Sequence, residues 1–161
     1  MIDMDNIMTN HVSLDFDAIS ENEAFARMAV ALFMAELNPT LGQIDDVKTA
    51  VSEAVTNAII HGYERCTEDE KMDEHKLCGQ ETTIPQVHME CSYTDRCLTV
   101  TITDDGVGIK DVKKALEPLY TSKPELERSG MGFSFMEAFM DELSVTSTLG
   151  QGTCVRMKKM L

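Results

Sequence analysis

The stretch VSEAVTNAIIHGY, residues 51–63, carries a carboxylate and a carboxamide in a helix whose alanines, valines and isoleucines predict burial. Glu53 and Asn57 stand four residues apart, so they are neighbours on one helical face. A carboxamide oxygen can help to hold Mg²⁺, and a carboxylate can accept a proton or orient water. The competing interpretation is a polar pair on the protein surface, and this helix alone does not exclude it.

The same helix predicts two covered sides. One apolar stripe should face a sheet, because its residues recur at helical spacing. The side with Glu53 and Asn57 also carries alanine, isoleucine and histidine, which suggests the wall of a pocket. The sheet stripe consists of Ile44, Val47, Val51, Ala54, Val55 and Ala58, and the pocket side adds Ala50, Ile60 and His61.

A first glycine segment, TDDGVGI at residues 103–109, follows a predicted strand. Gly106 and Gly108 would let the backbone turn sharply and approach a flat ligand. Asp104 can accept a hydrogen bond from an exocyclic amine such as that of adenine. Asp-Gly turns are common, so this segment alone is also consistent with an ordinary turn.

A second glycine segment, SGMGF at residues 129–133, precedes a predicted helix. Gly130, Met131 and Gly132 would offer backbone N–H groups at a positive helix end, which suits phosphates. The preceding loop, between two prolines, carries two hydroxyls and a cation, and its composition fits a lid over a triphosphate. These residues are Thr121, Ser122 and Lys123, and the competing interpretation is an inert surface loop.

The order of periodic segments predicts an α/β domain. Ser20 and Glu23 have the spacing of a capping box, which would open a helix ending near Leu37. Between Ala24 and Ala35 this helix carries Arg27 as its one charged residue, so it should be sandwiched inside the domain or shared with a partner. The predicted strands cover 12–16, 84–93, 97–103, 143–149 and 153–161, and the further helices cover 42–61, 111–115 and 133–140. Together they favour a two-layer sandwich, with helices on one face of a mixed, largely antiparallel sheet.

Composition limits the classes of partner. The 161 residues fit a single domain, with a charged insertion at 64–83 as the most flexible stretch. A formal charge of -14 argues against direct binding of nucleic acid. No apolar run is long enough for a membrane span and the first residues are acidic, so a cytoplasmic location is expected. Five cysteines without a CxxC pair favour reduced thiols, and His75, Cys78, Cys91 and Cys97 match no usual zinc spacing.

Three ordered motifs carry a resemblance to a known superfamily. EAVTNAIIHG, DDGVGI and SGMGF resemble the N box and the two glycine boxes of the GHKL ATPases and kinases, which share the Bergerat fold. The segments at residues 20–40, 51–64 and 118–145 are similar, more closely, to the anti-sigma F family of endospore-forming bacteria, serine kinases that bind the sporulation sigma factor. The resemblance covers nearly the whole chain, apart from the first ten residues and the insertion.

The resemblance implies a role for each matching residue. ATP and Mg²⁺ would be the ligands: Asn57 would hold the metal, and Asp104 would receive the adenine amine. Glu53 would be the general base for a serine hydroxyl, and Arg128 would neutralise charge on the transferred phosphoryl group. The remaining ATP-binding residues implied are Gly106, Gly108, Thr121, Ser122, Lys123, Ser129, Gly130, Met131, Gly132 and Thr153.

The resemblance also implies partners. A sporulation sigma factor and an anti-anti-sigma factor, the latter phosphorylated on serine, would both dock near Arg27, although a simple salt bridge would also explain that cation. A homodimer would cover the apolar first helix. Two alternatives stay open: a sequestering module that binds ATP without chemistry, and a histidine-kinase catalytic domain. The second is disfavoured, because none of the four histidines lies on a predicted dimerising helix.

Overall fold

A computed structural model describes residues 8–63, 84–118 and 131–161 of the chain. The predicted insertion at 64–83 lies outside the described residues. So do six predicted site residues, namely Thr121, Ser122, Lys123, Arg128, Ser129 and Gly130.

The described strands and helices follow one another in the predicted order. The helices are α1 (Glu21–Met34), α2 (Leu41–Asn57), α3 (Val112–Ala115) and α4 (Gly132–Phe139), and the strands are β1 (Thr9–Asp17), β2 (Gln86–Thr94), β3 (Cys97–Asp104), β4 (Glu142–Thr148) and β5 (Gly152–Met160). A 3₁₀ turn at Ala35–Leu37 follows α1, and a π-helical turn at Ala58–Gly62 continues α2.

The strands form one five-stranded sheet in the order β1-β2-β3-β5-β4. All four neighbouring pairs are antiparallel, so the expected α/β architecture is confirmed, and the described strands contribute no parallel pair to it. The β2–β3 hairpin turns at Asp95, which has a positive φ of 52°.

Strand alternation separates a core face from an open face of the sheet. In β3 the even-numbered residues Leu98, Val100 and Ile102 are buried, as the sequence predicts, while the threonines between them are partly exposed. Helices α1 and α2 pack together over the core face, and α4 packs against α2. Side chains from α1, α2 and α4 and from four of the strands join one apolar core.

The start of α1 differs from the prediction. Ser20 has helical backbone angles and its side chain makes no capping bond, so the expected capping box is wrong. The Glu23 carboxylate instead accepts a hydrogen bond from the Ser52 hydroxyl and lies 3.7 Å from the Arg27 guanidinium. A capping box does occur one helix later, where the Thr40 hydroxyl accepts the Gln43 N–H at 3.2 Å and Gln43 Oε1 accepts the Thr40 N–H at 2.9 Å.

Helix α1 is covered on one side by the described chain. Ala26, Val30 and Met34 are buried, whereas the opposite face exposes large apolar side chains. Phe25, Met28 and Leu32 are 54%, 49% and 73% exposed. The sequence predicts either a helix inside the domain or one shared with a partner, and the described residues leave this stripe of α1 uncovered.

None of the described helices is both long and apolar enough to cross a lipid bilayer.

Candidate functional site

A cavity of about 580 Å³ opens between α2, the sheet and α4. Ligand cavities for small molecules usually measure roughly 300–1,000 Å³, so this one can hold a nucleotide-sized molecule. Five predicted site residues line it, namely Asn57, Asp104, Gly108, Gly132 and Thr153, together with apolar side chains that include Ile102, Val107, Phe133 and Val155.

The cavity wall on α2 combines residues from both of the predicted sides. Its wall on this helix is formed by Ala54, Asn57, Ala58 and His61, at spacings of three and four residues. Ala54 and Ala58 were assigned to the sheet-facing stripe, whereas Asn57 and His61 were assigned to the pocket. Ala50 and Ile60, also assigned to the pocket, do not line the cavity. The physical reason is size, because an alanine side chain is too short to fill the space between helix and sheet.

Asp104 is a buried carboxylate in the cavity wall. It is 5% exposed, and its Oδ1 accepts the Gly106 N–H at 2.9 Å. Burial raises the pKa of this carboxyl, backbone N–H groups of Gly106 and Thr153 lower it, and the charge of Asp105 raises it, with a net upward shift. A ligand N–H facing Asp104 would therefore meet a carboxylate acceptor that is largely removed from solvent.

The first glycine segment packs against the end of α2 without room for side chains. A Cβ built at Gly106 would lie 1.7 Å from the Gly62 carbonyl oxygen, and the Val107 N–H donates to that same oxygen at 2.7 Å. Gly108 has a φ of +72°, and a Cβ there would lie 2.2 Å from the Thr148 carbonyl oxygen. Both predicted glycines are thus required for close backbone approach beside the cavity.

Ser147 organises the same region, and its role was not predicted from the sequence. Its hydroxyl oxygen accepts the Ile109 N–H at 2.7 Å and lies 2.9 Å from the Gly152 carbonyl oxygen and 2.9 Å from the Thr153 hydroxyl. The available signal was its position in β4, where Ser147 continues the partly buried series of Leu143 and Val145. A hydroxyl on the partly buried side of a strand predicts a hydrogen bond to a neighbouring group.

The start of α4 brings Gly132, from the second glycine segment, against the carboxylate and carboxamide of α2. A Cβ built at Gly132 would lie 3.1 Å from Glu53 Oε2, 3.2 Å from Asn57 Nδ2 and 3.4 Å from Asn57 Oδ1. Met131 is the N-cap residue of this helix. Glu53 does not line the cavity itself, but it is held at its border beside Asn57 and Gly132.

Asn57 is the described residue that fits a hard metal ion in this cavity. Its carboxamide oxygen is the neutral oxygen donor that Mg²⁺ accepts alongside phosphate oxygens and water. Within residues 8–63, 84–118 and 131–161, no three His, Cys, Asp or Glu side chains are grouped to hold a metal. A metal ion here would therefore depend on a bound phosphate for most of its ligands.

Arg27 lies in a separate depression. Asp45, Lys48, Thr49 and Ser52 of α2 line this depression with it. The Arg27 side chain is 44% exposed, so its contact with Glu23 leaves it accessible. Arg27 and the cavity residues thus form two distinct sites on the described surface.

Comparison with known proteins identifies the family of the chain. A family model described as Histidine kinase-like ATPase domain matches residues 16–159. A protein named Anti-sigma F factor from Pasteuria penetrans is 51% identical over 152 residues, which span 94% of this chain and 91% of that protein. Another of the same name, from Clostridium acetobutylicum, is 53% identical over 153 residues, or 95% of each chain.

A solved structure shares the fold. The RsbU and RsbW domains of a Mycobacterium tuberculosis protein align with a TM-score of 0.60 at 17% identity, over 94% of this chain and 32% of that longer chain. At 17% identity this structure shows the fold alone, whereas the two relatives share about half of their residues with this chain over nearly its whole length. The chain belongs to the anti-sigma F factor family, within the histidine kinase-like ATPase domains.

Proposed function

We propose that this chain is an anti-sigma factor with serine kinase activity. It binds ATP with Mg²⁺ in the cavity, sequesters a sporulation sigma factor, and phosphorylates a serine of the matching anti-anti-sigma factor. The observation that carries the proposal is that one cavity contains both the buried carboxylate of Asp104 and the carboxamide of Asn57, with Glu53 at its border. The names of the relatives supply the sigma factor as partner.

Adenine recognition is assigned to the deep part of the cavity. Ile102, Val107 and Val155 offer apolar contact for the faces of a base, and the Asp104 carboxylate accepts its amine hydrogen. The same carboxylate is fixed by the Gly106 N–H, so little side-chain entropy is lost when the ligand binds.

The phosphates are assigned to the region where α4 begins. Asn57 would hold Mg²⁺ there, and the metal would screen the negative charge of the phosphate oxygens. Gly132 leaves the space beside Asn57 open, because any side chain at this position would reach the Glu53 and Asn57 head groups. We also assign phosphate contacts to Met131 and, outside the described residues, to Gly130, Ser129 and the lid residues Thr121, Ser122 and Lys123.

Glu53 is assigned the role of general base. The serine hydroxyl oxygen attacks the γ-phosphorus, the bond from that phosphorus to the β–γ bridging oxygen breaks, and ADP leaves. The serine proton passes to the Glu53 carboxylate. Arg128, outside the described residues, is assigned to the charge on the transferred phosphoryl group.

The partner surfaces are assigned to α1. The accessible Arg27 guanidinium suits an acidic group of either protein partner. The exposed stripe of Phe25, Met28 and Leu32 suits a second copy of the chain, since a homodimer would remove these side chains from water.

The test is a transfer assay with γ-labelled ATP, Mg²⁺, and the sigma factor and anti-anti-sigma factor encoded by the same genome. The unmodified chain should label the anti-anti-sigma factor with acid-stable phosphoserine. Glu53→Gln should lower transfer by about a hundredfold or more while ATP still binds. Glu137→Gln is the matched control, because Glu137 is an exposed carboxylate on the neighbouring helix α4.

Each other outcome changes the assignment. Normal transfer by Glu53→Gln would remove Glu53 as the base. Nucleotide-dependent binding of the sigma factor without labelling would favour the sequestering module. Acid-labile phosphate would favour the histidine-kinase alternative.

A further inference from the structure

Two lysines that no motif predicts line the cavity. Lys110 follows the first glycine segment, and Lys114 lies in α3. They enter the cavity wall from a different part of the chain than Asn57 and Gly132, which belong to α2 and α4.

The backbone that carries both lysines is anchored. The residue before Lys110 donates its N–H to the Ser147 hydroxyl at 2.7 Å. The Lys114 N–H donates to Asp111 Oδ1 at 3.1 Å, as a cap of α3. The two side chains therefore project from anchored backbone positions, and both lysines are exposed residues in the cavity wall.

The positive charges of these lysines lie in a strongly acidic protein. The chain carries a formal charge of -14, and the described cavity wall includes the acidic residues Asp104 and Asp111. A polyanionic nucleotide meets unfavourable potential in such a field unless local cations offset it. Among the described lining residues, no other lysine or arginine is present.

We propose that Lys110 and Lys114 bind the phosphate chain and make the cavity selective for adenine nucleotides over the uncharged nucleoside. The inference rests on the proposed nucleotide function and adds a cationic wall to it, separate from the glycine segments and the lid. Because both lysines are exposed residues, each contact should change affinity by about two- to fivefold, and the pair by about tenfold.

The test compares the affinities of ADP, ATP and adenosine for the full chain, by calorimetric titration or competition. Lys110→Gln, Lys114→Gln and the double variant remove charge while keeping most of the side-chain length. The double variant should raise the Kd of ADP and ATP about tenfold, leave that of adenosine within about twofold, and reduce the salt dependence of ADP binding. Lys113→Gln is the matched control, because Lys113 is an exposed lysine of the same helix that does not line the cavity.

The outcomes separate this inference from the function on which it rests. If the unmodified chain binds neither ADP nor ATP, both are overturned. If it binds ADP and the double variant binds ADP equally well, the lysine assignment alone is overturned. An equal loss for adenosine and ADP would also overturn it, because the variants would then have altered the cavity and not its charge. Thermal unfolding of each variant checks that the fold is retained.

Discussion

Gly62, at the end of the π-helical turn after α2, lies directly against the Asp104 carboxylate of β3. A Cβ built at Gly62 would be 2.8 Å from both Asp104 Cγ and Asp104 Oδ1. The absence of a side chain at position 62 therefore sets the position of the buried acceptor in the cavity wall, and links the end of α2 to the sheet.

Gly62→Ala should push the Asp104 carboxylate out of place. We expect a loss of about 1–3 kcal/mol in the free energy of unfolding, typical of an overpacked site, and an ADP affinity reduced about tenfold or more. Urea unfolding and ADP titration measure the two effects. Gly42→Ala is the control: a Cβ built there meets no atom within 4 Å, and the residue sits inside α2, so the change should stabilise by up to about 1 kcal/mol. An unchanged ADP affinity in Gly62→Ala would contradict the proposed link.

Asp104→Asn should raise the stability of the fold and lower its affinity for ADP. Burial raises the pKa of this carboxyl, so its ionised form costs stability, and that cost appears as the pH rises above the pKa of the unfolded chain. A neutral amide removes the cost, and we expect Tm at neutral pH to rise by roughly 2–4 °C. Its N–H₂ group would face the adenine amine without accepting a hydrogen bond, so ADP affinity should fall at least about tenfold.

Asp105→Asn serves as its control, since Asp105 is an exposed carboxylate next in sequence. It should change ADP affinity by less than about twofold, given its exposure. The interpretation of Asp104 would be wrong if Asp104→Asn bound ADP as well as the unmodified chain.

Leu32→Glu should weaken the proposed homodimer. Leu32 is 73% exposed within the apolar stripe of α1, and a carboxylate there would be buried against the second copy without a partner. We expect the dimer Kd to rise about tenfold or more in sedimentation experiments. Leu41→Glu changes a leucine that is 80% exposed at the start of α2 and is not part of the stripe, and it should leave association unaltered. A monomeric unmodified chain would contradict the proposal directly.

His88, on the open face of the sheet, should make the stability of the protein depend on pH. Its Nδ1 lies 2.6 Å from Asp15 Oδ1 and its Nε2 lies 3.4 Å from Glu90 Oε1. The hydrogen bond with Asp15 is the main reason that the His88 pKa is raised above 6.5; burial opposes it and Glu90 adds to it. A raised folded pKa means that the protonated ring stabilises the fold fully below the unfolded pKa, and that this stabilisation is lost as the pH rises through the folded pKa.

Between about pH 5.5 and 8.5, the free energy of unfolding should therefore fall as the pH rises. In His88→Gln this fall should be smaller. His11→Gln provides the comparison, because His11 is an exposed histidine on the same strand β1 as Asp15. An identical pH profile for His88→Gln and the unmodified chain would show that the cluster does not contribute.

Much of the fold follows from local pattern. Alternation in β3 predicted which residues are buried, and the glycines at positions 106 and 108 predicted a close backbone approach that the structure contains. The prediction that Asp104 and Thr153 lie in the same site came from the family resemblance, and both residues line one cavity. The capping box at Ser20 failed, because a spacing of three residues does not reveal that Ser52 and Arg27 engage Glu23.

The sequence by itself determined the elements, the order of the motifs and the membership of the chain in its family, since these depend on residue type and spacing along one dimension. Only the tertiary structure decided where the empty space lies. The cavity forms beside Ala54 and Ala58 because they are too short to reach the sheet, and Ser147, Lys110 and Lys114 border the site because strands and turns distant in sequence meet there. Helical periodicity assigns a direction to each side chain, but the volume left unfilled in that direction depends on every element that packs against it.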